Sequence, residues 1–223
     1  MRTYDEILDI AAARKGGRIA VLDDVPTVLD ADELAAIPDD RWLAQMARGI
    51  FQAGISWTVV ETKWPGIEDA FHRFDIGRCA FMAEDWFEAL MSDPRIIRSA
   101  PKVRAVQENA TLIQRVSAEH GSFGRWVGDW PSREFATLLE VLKKDGSRLG
   151  GNTGAYALRM MGRDSYLMSG SVVARLTAEG IVDKAPSSKK AWGAVQEAFN
   201  TWMEQSGQGL TVVSRVLAQS ADG

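Results

Sequence analysis

The sequence predicts an all-α protein, and three observations carry that prediction. Apolar residues recur at helical spacing, as in Ile7, Ile10 and Ala11 and again in Val106, Ala110 and Ile113, so that each set lines one face of a 3.6-residue turn. Period-two alternation with β-branched residues, the mark of a half-buried strand, is scarce. The breaks between periodic stretches fall at Gly and Pro, with helix-start residues beside them.

Taken in order, Met1 to Gly17 carries acidic residues and no continuous apolar stretch, so no secretion signal is expected there. No run reaches the roughly 18 to 20 apolar residues of a membrane span. The expected location is the cytoplasm. A helix over Arg41 to Phe51 ends at Gln52-Ala53-Gly54, and Ser56-Trp57 follows, with Trp64, Phe71 and Phe74 beyond. Eight tryptophans are many for 223 residues. Aromatic rings at helical spacing usually pack inward; the alternative for Trp57 is a stacking surface for a nucleobase.

Pro131 and Ser132 precede a run from Phe135 to Lys144, and Ser187 and Ser188 precede an amphipathic stretch from Ala191 to Glu204, as helix N-caps should. Between them the helix ending in Leu142-Lys143-Lys144 meets Asp145-Gly146 and then Leu149-Gly150-Gly151-Asn152-Thr153-Gly154 before a new helix starts. This predicts a helical hairpin over about residues 138–163. Glycines there permit positive φ and close approach, and amide groups at the second helix's start form an anion site that suits a phosphate. A plain glycine C-cap is the simpler alternative. Connectors such as Asp183 to Pro186 are short, so one domain over 1–223, with two lobes sharing a cleft, is expected.

A formal charge of −4 argues against a surface coated in positive charge, yet a nucleic-acid partner needs only a local basic face. Between 95 and 115, Arg95, Arg98, Lys102, Arg104 and Arg115 oppose Glu108 alone; between 141 and 175, Lys143, Lys144, Arg148, Arg159, Arg163 and Arg175 oppose Asp145 and Asp164. These runs also fit solvated helix faces. The single Cys79 excludes an internal disulfide, and His72 and His120 are too few for a nitrogen and sulfur metal cage. Neither metal nor cofactor is expected.

Three strings in order, Gln52-Ala53-Gly54-Ile55-Ser56-Trp57, Ala70-Phe71-His72-Arg73-Phe74-Asp75, and Arg95-Ile96-Ile97-Arg98 with Lys102 and Asn109-Ala110, resemble the DNA-3-methyladenine glycosylase I family. Leu142-Lys143-Lys144, Gly146, Gly151 and Thr153 extend the resemblance through the hairpin, over roughly residues 40 to 165. Trp192 to Ser220 more loosely resembles the closing helices of the wider helix-hairpin-helix glycosylase group. The resemblance implies a helix-hairpin-helix glycosylase fold and a monomeric, monofunctional base-excision enzyme. Its partner would be double-stranded DNA carrying alkylated bases, from which it removes purines such as 3-methyladenine.

Site residues follow by the same resemblance. Trp57 would stack on the flipped base, with Gln52 and Gly49 beside it. Gly150, Gly151, Asn152, Thr153, Gly154, Lys143, Lys144 and Arg148 would meet the DNA backbone. Two departures concern the chemistry. Gly49 stands where the family has its pocket carboxylate, and Ser169, or Ser171 if the register slips, stands where the wider group has its catalytic aspartate. The family's terminal Cys and His zinc ligands are also missing. Glu61, one turn beyond Trp57, is the expected substitute acid, or else a surface glutamate pairing with a nearby cation. Asp164 is expected to cap the segment that follows it. The alternative function is a catalytically degenerate fold that binds DNA lesions without excising them.

Overall fold

In a computed structural model that describes residues 1–23 and 25–222, those residues form helices and turns, with no strand among them. In chain order the helices are α1 (Tyr4–Lys15), α2 (Arg18–Leu22), α3 (Ala31–Ala35), α4 (Asp39–Gln52), α5 (Trp57–Ala70), α6 (Ile76–Ala80) and α7 (Glu84–Ser92). They continue with α8 (Ala100–His120), α9 (Phe123–Asp129), α10 (Phe135–Asp145), α11 (Asn152–Met160), α12 (Gly170–Ala178), α13 (Lys189–Ser206) and α14 (Leu210–Ser220). Local signals explain their ends. Thr3 and Glu6 form a reciprocal capping box at α1, which stops at Gly16 with φ 88°. Ser188 accepts a hydrogen bond from the Ala191 amide, as its position before the amphipathic stretch predicts.

The chain divides into two compact units. The first comprises Met1–Val28, Pro131–Leu138 and Asp164–Gly223. Its centre is Tyr166, fully buried between Phe199, stacked at 4.4 Å, and Phe135, edge-on at 4.9 Å. Burial raises the Tyr166 phenol above its ordinary range, so the hydroxyl stays protonated; it lies 3.3 Å from Gln196 Oε1. Each such fully buried ring contributes about 1.5–3 kcal/mol of burial free energy. Beside this core Asp164 accepts from the amides of Leu210 at 3.0 Å and Thr211 at 2.8 Å. It therefore caps α14, 46 residues away, and not the segment that follows it. Gly209 at the N-cap of α14 lacks a side chain because a Cβ there would lie 2.9 Å from both Asp164 carboxylate oxygens.

The second unit comprises Leu29–Trp130 and Leu139–Arg163. On α4, Trp42, Leu43, Met46, Ala47, Ile50 and Phe51 are buried at helical spacing, and α4 packs on α8, whose Val103, Val106, Ala110 and Ile113 are buried in turn. On α9, Gly124 and Gly128 stand one turn apart and let α3 pass close by; a Cβ on Gly124 would fall 2.0 Å from the Leu34 carbonyl oxygen. Phe71 and Phe74 stack at 5.4 Å under the turn that follows α5. This unit holds the corner between α4 and α5 and the hairpin.

Candidate functional site

The corner is a four-residue reversal, Ala53 to Ser56. After α4 ends at Gln52, Gly54 takes φ 75°, which glycine adopts at low cost, and Ser56 leads into α5 with Trp57 as its first residue. Trp42 and Trp202 are wholly buried, whereas Trp57 is 58% exposed. Its ring meets Tyr156 of α11 at 6.3 Å and nearly perpendicular. Tyr156 was invisible as a site residue in the sequence, since nothing local ties it to Trp57.

Glu61 lies one turn after Trp57 on the same helix face. Gln52 Nε2 donates to Glu61 Oε1 at 2.9 Å, and Arg48 Nε stands 3.7 Å from the same oxygen. The Arg48 guanidinium also sits over the Trp64 ring at 4.2 Å. The structure thus joins Trp57, Gln52 and Glu61 in one patch, with Glu61 about half exposed. Pro65 has no N–H to offer the Glu61 carbonyl, so α5 is one hydrogen bond short at this turn. Gly49 faces away from open space: a Cβ there would meet Thr153 Cγ2 at 3.3 Å. The place of the expected family carboxylate is therefore filled by the approach of α11.

The hairpin turn is pinned to α8. Asn109 is fully buried; its Nδ2 donates to the Ser147 carbonyl and its Oδ1 accepts from the Ser147 amide, both at 2.9 Å. Arg148 adopts φ 57° and donates from Nε to the Pro101 carbonyl at 3.2 Å. Gly151 takes φ 60°, a Cβ on Gly150 would meet the Lys143 stem at 3.3 Å, and Lys143, Lys144, Arg148, Gly151 and Asn152 are exposed. Gly154 differs from Gly151 and Asn152 in its surroundings. It is buried, its amide donates to the Leu149 carbonyl, and a Cβ would fall 2.6 Å from that oxygen, so it serves the turn's own packing. The Thr153 amide is likewise turned inward, to the Gly150 carbonyl at 3.4 Å.

Ser169 and Ser171 belong to the first unit. Ser169 caps α12, its hydroxyl accepting from the Val172 amide at 3.3 Å, and Ser171 is the second residue of that helix. Two depressions, of about 420 Å³ around Asp40, Arg41 and Arg73 and about 160 Å³ around Trp126 and Trp130, are not lined by Trp57, Gln52 or Glu61. The basic run from 95 to 115 is largely spent on internal pairs: Arg95 with Asp93 at 2.7 Å, Arg104 with Glu84 at 2.6 Å and Arg115 with Asp145 at 3.4 Å. Arg175 is buried against Ser220 and Glu179. Cys79 is buried, and burial followed by the charge of Asp75 pushes its thiol up to about 12. Among the described residues no three His, Cys, Asp or Glu side chains converge as a metal cage requires, so these residues do not fit the zinc that the resemblance attaches to the family's terminus.

A family model for methyladenine glycosylase matches residues 37–145. DNA-3-methyladenine glycosylase of Haemophilus influenzae (strain ATCC 51907 / DSM 11121 / KW20 / Rd) is 33% identical over 48% of this chain and 67% of its own length. The chain belongs to the methyladenine glycosylase family. DNA-3-methyladenine glycosylase 1 of Escherichia coli (strain K12) is 41% identical over 48% of this chain and 66% of its own length. The chain therefore spans about two thirds of the length of these curated relatives. A crystal structure of 3-methyladenine DNA glycosylase I superimposes with a TM-score of 0.50 at 25% identity, covering 65% of this chain and 87% of the other. That of the Staphylococcus aureus enzyme gives 0.52 at 20% identity over 72% and 95%, a likeness of fold. The family match ends at Asp145, the last residue of α10, so it takes in the Trp57 corner and Glu61 and stops before α11. No helix among the described residues is long and apolar enough to cross a membrane.

Proposed function

We propose that this chain is a monofunctional DNA glycosylase that excises alkylated purines, 3-methyladenine foremost, from double-stranded DNA. One observation carries the reading: Trp57, at the start of α5, exposes an indole beside a carboxylate held by Gln52. N3-methylation makes adenine cationic, and an aromatic face prefers that base over normal adenine by about 0.5–2 kcal/mol. Lys143, Lys144, Arg148 and the exposed Gly151 and Asn152 beside the half-buried Gly150 supply phosphate contacts without sequence preference.

The reaction needs little from the protein. The bond between adenine nitrogen and sugar C1′ breaks, its electron pair leaves with the base, and the base loses its positive charge. Water oxygen then bonds to C1′ and gives up a proton. Glu61 is the acid best placed to offset charge on the sugar and to take that proton, Gln52 orienting its carboxylate. Ser169, already capping α12, and Ser171 are candidates for orienting water only.

The test is single-turnover release of labelled 3-methyladenine and 7-methylguanine from alkylated duplex by the wild type, Trp57→Ala and Glu61→Gln. Release by the wild type that falls in both variants sustains the reading. A wild type that binds the lesion duplex without releasing base would instead make this a degenerate glycosylase, a second reading favoured by Thr153 closing over Gly49.

A further inference from the structure

Lys102 is the third residue of α8, yet its side chain points away from solvent and is almost fully buried. Its ammonium donates to the carbonyls of Phe51 at 3.0 Å and Ala53 at 2.7 Å. Those are orphan carbonyls at the C-terminal end of α4, where the helix dipole leaves partial negative charge. A buried ammonium is tolerated only when bonded in this way. The residues it grips directly precede Gly54 and the reversal that delivers Trp57. One residue before Lys102, the Pro101 carbonyl accepts from Arg148, an exposed hairpin residue in a left-handed backbone conformation. Thus three hydrogen bonds, joined covalently through the Pro101–Lys102 peptide, tie the hairpin loop to the first turn of α8 and that turn to the end of α4.

We infer that Lys102 is a positioning residue which fixes the corner carrying Trp57 and, through Pro101 and Arg148, couples phosphate docking at the hairpin to the stacking ring. The inference rests on the base-excision reading for its biological sense, but the hydrogen-bond chain exists whatever the enzyme excises. Burial, and after it the field of Arg148, lowers the Lys102 ammonium below the ordinary lysine range. A phosphate meeting Arg148 would screen that field and favour the charged form that makes both bonds.

The experiment compares wild type, Lys102→Met and Lys102→Arg in three readouts. These are base release at saturating alkylated duplex, duplex affinity, and the fluorescence response of Trp57 to duplex, isolated by subtracting a Trp57→Phe counterpart of each protein. Lys102→Met is expected to slow release about tenfold or more and to lose the Trp57 response, because small misplacement of a stacking group is costly. Affinity and helical content should hold, and Lys102→Arg should restore most of both losses. Arg148→Gln at saturating duplex should reproduce the pattern non-additively with Lys102→Met. A Lys102→Met protein with the wild-type Trp57 response overturns the inference, as does a loss that Arg does not rescue. If the wild type releases no base, the excision reading falls, and the Trp57 response alone still decides the role of Lys102.

Discussion

The carboxamide of Gln52, at the last turn of α4, donates to the carboxylate of Glu61, one turn into α5, at 2.9 Å. This bond spans the corner at Trp57 and sets where the acid points. Replacing Glu61 by Gln keeps the shape and removes the charge. If Glu61 stabilises the developing sugar cation, the release rate should fall about 10²-fold, the size of one preorganised electrostatic contact. Gln52→Ala should cost less, since it loosens the carboxylate and leaves its charge in place. Single-turnover kinetics on 3-methyladenine DNA check both.

Gly49 and Thr153 define how closely α11 lies on α4, with 3.3 Å between a Cβ on residue 49 and Thr153 Cγ2. Alanine at 49 gains about 1 kcal/mol of helix propensity and meets that methyl group. Thr153→Ser removes the methyl. Gly49→Ala should therefore be more favourable in the Thr153→Ser background than in the wild type by about 1 kcal/mol. Urea denaturation of the four proteins measures that coupling, and additivity would refute the contact.

Lys143, Lys144 and Arg148 are exposed along the hairpin. Each one that meets a phosphate adds about 0.9 to the slope of log affinity against log salt. Glutamine at all three should lower the slope in steps and weaken undamaged and lesion duplex alike, whereas Trp57→Ala should weaken the lesion duplex selectively. Binding isotherms across a salt series separate the two patterns.

Asp164 and Gly209 form a matched pair at the start of α14. Asp164→Ala strands two buried amides and should cost about 1–3 kcal/mol, with Asp164→Asn milder because one acceptor oxygen remains. Gly209→Ala should destabilise the wild type, where the new methyl meets the carboxylate. In the Asp164→Ala background, where the methyl finds space, that penalty should vanish. Thermal midpoints of the four combinations are the measurement.

What the sequence determined by itself is local. Spacing of apolar residues, caps such as Ser188, and glycines such as Gly54 and Gly151 located the helices, the Trp57 corner and the hairpin, because a helix is written in residues three and four apart. The motif strings pointed to the family by the same near-range pattern. Partnerships across the chain were decided only by the tertiary structure. Asp164 caps a helix 46 residues later, Tyr156 reaches the corner and Thr153 reaches Gly49 from α11, and Lys102 turns inward to the end of α4. The basic run from 95 to 115 suggested an open cationic face, but Asp93, Glu84 and Asp145, all outside that window, neutralise three of its five charges. Charge counted along a chain ignores which acids packing brings alongside, and that is fixed by the geometry of helices meeting in space.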